Sequence, residues 1–377
     1  CARFGAICAR KPRRMSYVHG HSICCAQGAG AALWPQWAAP LPAASVPFAF
    51  LGQTAHAAYF RAFAEPRLSL AALADLIETH LQAAAADAGW SAAQQAEAAV
   101  FIGSTAYNMA DCEQRYLAGA PDALSYTLHT ITAELMKRLG HEQIYSFATS
   151  CTSSAHALMH AHRLLQSGLI KRALVVGVES FNLLTLAHFH ATGLLAVECT
   201  PFAGQGFVLG EGIACLALAG EAPPAGGLRL CGVDAGSGGG SLTDTDSQRM
   251  AAVMQHALAQ AEVPAAALKL VKAHAVGSAD SDEAERQALM AVVGQAVPVA
   301  WFKPHIGHTL GASGAIETAL LRQSLQTGTL PGALAGQAVA GLCAASADMA
   351  LAPGHYLAQF AGFGGSHISM VWGWQPC

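Results

Sequence analysis

Apolar positions along this chain switch between two patterns. Short and nearly uninterrupted runs such as "AAVFIGS", "ALVVGVES" and "VPVAWF" predict buried strands. Between them, apolar residues recur every third or fourth position. The stretches "TLHTITAELMKRLG", "MAAVMQHALAQA", "SDEAERQALMAVVG" and "ASGAIETALLRQSLQTG" therefore predict helices. The first ends in a basic turn and Gly140, and the third has a capping signature at its start, Asp280 just before it followed by Glu283. "GFVLGEGIACLAL" reads as a hairpin about a Gly-Glu-Gly turn, and "HISMVWGW" as a last strand. Pro and Gly cluster from Gly220 to Gly227, the best candidate linker. Strand–helix alternation on both sides of it predicts an α/β protein built from two related halves, 15–225 and 226–377. Their sheets are expected to be buried and largely parallel, with helices on their faces. The halves share a pattern but no detectable repeat of residues.

One junction in this pattern carries reactive chemistry. "IYSFA" reads as a short buried strand, and Ala155, Leu158, Ala161 and Leu165 recur at helical spacing up to Gly168. Cys151, in "SFATSCTSSAHAL", falls between the two. Backbone N–H groups and the dipole at a helix start favour a thiolate and can hold an oxyanion. A buried structural cysteine is the plainer reading of the same residue.

Composition narrows the class. Of 377 residues, 53% are apolar and only 12% charged. That describes a globular chain with much buried surface, part of it covered by a partner such as a second copy. A net charge of −4 gives no reason to expect nucleic-acid binding. No run is long enough for a membrane span. The eleven cysteines are scattered and form no C-x-x-C pair, which argues against a metal site or disulfide framework and for the cytoplasm. Adjacent Cys24 and Cys25 are expected on opposite faces of a strand. Residues 1–14, "CARFGAICARKPRR", hold five basic and no acidic residues and read as a leader or non-native extension before Met15.

Three segments after the linker add candidate groups. His274 ends the strand-like "LKLVKAH" ahead of a Gly/Ser loop. Lys303 and His308 stand five apart in "FKPHIGHTLGASGAIE", where glycines allow close backbone approach to a ligand. Phe363 lies among glycines in "FAGFGGSH". Each segment alone is a weak signal; a satisfied structural histidine is commoner than a catalytic one.

Taken together, "TSCTSSAHAL", "PFAGQGFVLGEG", "KAHAVGSADSDEAE", "FKPHIGHTLGASGA" and "GFGGSH" resemble the β-ketoacyl-ACP synthases of the thiolase superfamily, in order and spacing, from about Met15 onward. The resemblance implies a thiolase-like fold, duplicated halves in a five-layered α-β-α-β-α sandwich. It implies an elongating Cys-His-His enzyme that condenses malonyl-ACP with an acyl group on Cys151, with loss of CO₂, in fatty-acid or polyene/polyketide-like biosynthesis. His274 and His308 would donate hydrogen bonds to the enolate oxygen. Cys151 and Phe363 N–H groups would form a second oxyanion hole, Phe363 also acting as a gate. Lys303 would pair with Glu285 and order His274. Ser278, Gly364 and Phe202 would contact substrate. No cofactor or metal is implied beyond the phosphopantetheine of the acyl carrier protein, and the chain would act as a homodimer or as a heterodimer with a related subunit.

Several positions depart from the family pattern. Val276 and Ser278 stand where two threonines usually hold the pantetheine arm, His367 where Asn is common, and Lys272 where an Asn helps to bind a structural cation. The Lys272 ammonium is expected to replace that cation by pairing with Glu317. A thiolase would need a cysteine where Phe363 stands. A non-catalytic chain-length factor, the alternative reading, would typically lack Cys151. The acyl tunnel is expected to include residues of "GSTAYNMADCEQRYL".

Overall fold

A computed structural model describes residues 15–33, 37–120, 126–224, 226–238 and 246–376. The expected leader, 1–14, and one residue of the linker lie outside the described residues. Among those described, one 12-stranded sheet dominates. Its first part runs Ile144–Phe147, Ala99–Gly103, Arg172–Glu179, Gly212–Ala219 and Ser16–Cys25. The second runs Gly226–Ser237, Ser366–Pro376, Gly354–Gly362, Leu268–Lys272, Pro298–Ala300 and Cys343–Ala344. The parts meet along a short antiparallel seam, Ser16–Val18 against Leu228–Leu230.

Three apolar cores explain the layering. The middle core joins strands of both parts to the helices Ser153–Ser167 and Ser313–Thr327. The outer cores pack Leu70–Asp87 and His129–Leu139 on the first part, and Ser247–Ala261 and Ala279–Val292 on the second. The order is helix, sheet, helix, sheet, helix, the thiolase-like α-β-α-β-α arrangement. A helix between two sheets must be apolar all round, and Ser313–Thr327 is buried almost throughout. Each of its fully buried leucines, Leu320, Leu321 and Leu325, contributes about 1.5–3 kcal/mol. The two middle helices touch closely at Gly314, where a Cβ would come within 2.3 Å of the Ala155 nitrogen. Gly168 ends the Cys151 helix in the left-handed region, φ 74°, which glycine adopts without strain.

Three expectations need correction. The sheet is mixed: the outer strands are parallel, but Gly212–Ala219, Ser16–Cys25, Gly226–Ser237 and Ser366–Pro376 pair antiparallel. Uniform apolarity reports burial on two faces, not strand direction. "GFVLGEGIACLAL" is no hairpin. Leu209–Gly210 pairs in parallel with Tyr59–Phe60 in a separate small sheet, while Gly212–Ala219 joins the large one. Glu211, between them, accepts from the N–H groups of Ala62, Phe63 and Phe181. The capping signature also fails: the N-cap of Ala279–Val292 is Ser278 without a side-chain cap, and Glu283 pairs with Arg286. Cys25 and Cys24 do part to opposite cores.

Candidate active site

Cys151 stands just ahead of the helix Ser153–Ser167, in a tight elbow after the strand Ile144–Phe147. Ser150 takes φ 54°, a strained value for a residue with a Cβ. Hydroxyls secure the turn. Ser153 Oγ accepts from the Thr149 N–H at 2.9 Å and donates to the Ser150 carbonyl at 2.6 Å, and Thr152 Oγ1 donates to the Thr149 carbonyl at 2.6 Å. The small hydroxyl residues around the cysteine thus serve the backbone of its elbow.

The thiol opens into two cavities. One, of about 190 Å³, is the more polar of the two, with His274, His308, Ser278 and His367 in its wall. The other, of about 850 Å³, is largely apolar, with Ala106, Met109, Phe189 and Leu310. Thr105, Ala106 and Met109 come from the segment expected to line a tunnel. Cys151 and Phe363 belong to both walls, and the Phe363 ring lies 5.7 Å from that of Phe189. The thiolate expected from the helix start is not the resting form. Burial pushes the Cys151 thiol up to about 12, and a hydrogen bond from the Phe363 backbone only partly opposes it.

His274 follows the strand Leu268–Lys272, and its ring meets that of His308 edge-on at 5.3 Å. Lys303, itself fully buried, donates to the His274 carbonyl at 2.6 Å and to Glu317 Oε1 at 2.8 Å, and approaches His274 Nδ1 at 3.4 Å. An ammonium has no acceptor, so Nδ1 is the accepting nitrogen and Nε2 carries the proton. Burial, with the Lys303 charge next, holds both His274 and His308 well below 6.5, so both rings are neutral N–H donors. His308 is fixed through its backbone, its N–H on the Val208 carbonyl and its carbonyl accepting from Gly210.

The pairing of Lys303 with Glu285 is wrong. Glu285 accepts from the N–H groups of His274 and Ala275, both at 2.6 Å, and the partner of Lys303 is Glu317. Glu317 lies in the middle helix, which faces Lys303; Glu285 lies in an outer helix beneath the His274 loop. Lys272 does reach Glu317, donating to Oε2 and also to the Gln359 carbonyl at 2.6 Å, with the Phe360 ring centroid 3.6 Å away. One buried carboxylate thus holds two buried ammoniums. Asp282, missed in the sequence reading, accepts from Val276, Gly277 and Phe202 N–H groups; its place at an acidic helix start was the only signal. Ser278 lines the polar cavity, whereas Phe202 and Gly364 lie outside both walls, Phe202 packing on Trp301 at 5.2 Å.

Comparison with known proteins places this geometry. Residues 53–222 match the family model described as beta-ketoacyl synthase, N-terminal domain, and residues 227–337 the C-terminal domain of the same family. A putative mitochondrial 3-oxoacyl-[acyl-carrier-protein] synthase of Schizosaccharomyces pombe is 30% identical over 212 residues, half of each chain. The spectinabilin polyketide synthase system protein NorA' of Streptomyces orinoci is 32% identical over 201 residues, 48% of this chain and 6% of its own length. The chain thus spans half or less of these curated relatives. The solved ketosynthase ApeO, in complex with its chain length factor ApeC from Xenorhabdus doucetiae, superposes with a TM-score of 0.81 at 19% identity, covering 96% of this chain and 98% of that one.

Proposed function

The chain belongs to the β-ketoacyl synthase family, and from that premise we propose that it catalyses decarboxylative Claisen condensation on acyl carrier protein thioesters. The observation that carries this reading is the position of Cys151, where a polar cavity with two neutral imidazoles meets an apolar one.

The acyl chain occupies the apolar cavity. The Cys151 sulfur attacks the thioester carbonyl of acyl-ACP, and the thiol proton leaves with the carrier's departing thiolate as free HS-ACP. The N–H groups of Cys151 and Phe363 hold the tetrahedral oxyanion. Malonyl-ACP then enters the polar cavity and loses CO₂. The two electrons of the broken C–C bond form an enolate, whose oxygen accepts from His274 and His308. Such donors are worth roughly 3–4 kcal/mol each in comparable sites. The enolate carbon attacks the acyl-enzyme, the Cys151 sulfur departs and takes a proton from solvent, and 3-oxoacyl-ACP two carbons longer is released. Lys303 acts by holding His274 in its donor form. Phe363, common to both walls, is the gate between the two steps.

The chain acts with a second subunit, identical or related. Leu184, in the wall of the apolar cavity, is 58% exposed, and a partner surface would close that side. The described cysteines are all unpaired, which supports a reducing compartment such as the cytoplasm. Among the described residues no helix is long and apolar enough to cross a membrane. Two units, 15–225 carrying the cysteine and 226–377 carrying the imidazoles, remain our division of the chain.

The test is incubation with acyl-ACP and malonyl-ACP, followed by mass spectrometry of protein and carrier. Acylation at Cys151 and a ketoacyl product two carbons longer are expected. Neither event, even with a related subunit co-expressed, would leave a chain-length factor as the better reading.

A further inference from the structure

A buried carboxyl that the chemistry above does not use sits behind a seam in the wall of the apolar cavity. Glu179 ends the strand Arg172–Glu179 and is 1% exposed. Its Oε2 accepts from the Thr105 N–H at 2.9 Å and from the Gly311 N–H at 3.1 Å. Its Oε1 accepts from the Ala106 N–H at 3.1 Å and lies 3.4 Å from the Ser104 hydroxyl. Thr105 and Ala106 belong to the cavity wall, and so does Leu310, the neighbour of Gly311. One oxygen therefore takes a donor from each of two wall segments that are remote in the chain.

The two segments meet without spare room. A Cβ on Gly311 would come within 2.6 Å of both the Ser104 carbonyl carbon and the Thr105 nitrogen. Hydrogen bonds to an ionised acceptor are among the stronger ones, so a carboxylate behind this contact acts as a tie across it. Without the carboxyl the N–H groups of Thr105 and Gly311 would be left buried and unpaired, and the segments would gain by parting. Glu179 also stands within electrostatic reach of the reactive sulfur. Burial is first in raising the Cys151 thiol, and the Glu179 charge adds to it. A carboxyl that served only to satisfy buried N–H groups would affect stability alone. Here the groups it satisfies are those that set how broad the cavity is.

We propose that Glu179 is a positioning residue for acyl selection: its Oε2 holds the 104–106 segment to the 310–311 turn and so limits the breadth of the acyl group that Cys151 accepts. This rests on the acyl-thioester reading above and names a specificity element within it.

The test compares two pantetheine thioesters, a slim one carrying octanoyl and a broad one carrying phenylbutanoyl. Burial pushes the Glu179 carboxyl up to about 7, with the N–H donors opposing it, so the assay is run at about pH 8, where the parent is ionised. Acylation of Cys151 is followed by intact-protein mass, and the rate constant for the broad thioester is divided by that for the slim one. Both react with the same sulfur, so the ratio cancels changes in thiol reactivity and in the fraction of protein correctly folded. In Glu179→Met, which removes the bridging oxygen, the ratio rises roughly 5- to 10-fold, the scale on which an apolar pocket discriminates by size. Gly311→Ala wedges the same seam from its other side and raises the ratio in the same direction. In Glu179→Gln, which can keep an oxygen in the bridging place, it stays within about 3-fold of the parent. An unchanged ratio in Glu179→Met, or in Gly311→Ala if the first variant does not fold, overturns the proposal and leaves the enzyme reading standing. A shift in Glu179→Gln as large as in Glu179→Met also overturns it, since charge and not the bridge would then be the cause. Failure of the unaltered protein to be acylated by either thioester, or by acyl-ACP, overturns both.

Discussion

The Cys151 elbow and the His274–Lys303–Glu317 cluster meet at one cavity, through Cys151 and His274, but are held by different forces. The elbow is shaped by backbone geometry and hydroxyls: a left-handed Ser150, two side-chain bonds of Ser153, and a Thr152 hydroxyl that bonds the Thr149 carbonyl and Ser366 Oγ. No charge takes part. The cluster is shaped by charge, one buried carboxylate between two buried ammoniums, with the Glu285 carboxyl beneath the His274 loop. The difference teaches where each region is fragile. A reactive sulfur needs a rigid turn. Imidazoles that must stay neutral donors need fixed charges around them, and buried charges fail badly when a partner is removed.

The largest expected effect separates chemistry from architecture at the elbow. Cys151→Ala abolishes the acyl-enzyme and lowers condensation by a factor on the order of 10⁶, as loss of a nucleophile does. Its unfolding free energy changes by less than about 2 kcal/mol, because the turn does not depend on the sulfur. Intact mass and urea unfolding check the two halves of that statement. A large loss of stability would make Cys151 a packing residue.

Glu317→Gln tests the cluster. It leaves two buried ammoniums facing a neutral amide and is expected to destabilise by about 3–5 kcal/mol in urea unfolding. An effect below about 1 kcal/mol would show that these charges do not bear the load assigned to them.

A pH comparison sharpens the electrostatic side. Burial pushes the Glu285 carboxyl from 4.5 up to about 7, so the native state keeps its proton over a range where the unfolded chain has lost it. The resulting stability is fully present below 4.5 and is lost as pH rises through 7. Between those limits the parent should therefore lose, relative to Glu285→Gln, on the order of 2 kcal/mol. Urea unfolding of both at the two ends of the range measures it. A constant difference would mean that the carboxylate is ionised throughout.

The smallest effect belongs to the elbow. Thr152→Val removes its bonds to the Thr149 carbonyl and to Ser366 Oγ and costs about 1–2 kcal/mol, with acylation kept within a few-fold. A change much larger than this would place Thr152 in the chemistry.

Several of these features were legible in the sequence. Gly140 and Gly168 end their helices as read, both in the left-handed region. Cys151 lies between strand and helix because each flanking run has a period of its own. Legibility failed where the answer depends on which element lies opposite. Lys303 has two buried glutamates within reach along the chain, Glu285 and Glu317, and nothing local separates them. The middle layer decides, since the helix bearing Glu317 passes between the sheets. Leu209 and Gly210 likewise read as part of a hairpin because their pairing with Tyr59 and Phe60 is remote in the chain. His367 could be noted as an unusual residue, but only its surroundings show both nitrogens without a partner among the described residues.

What the sequence determined by itself was the order of elements and the identity of the reactive groups, because periodicity and residue chemistry are local properties. What only the tertiary structure decided was the company each group keeps: that the thiol is protonated at rest, that Glu317 serves two lysines, and that a third imidazole waits in the wall. Those outcomes follow from burial and from contacts between distant segments, which raise or lower the free energy of a charge by amounts that no stretch of chain contains on its own.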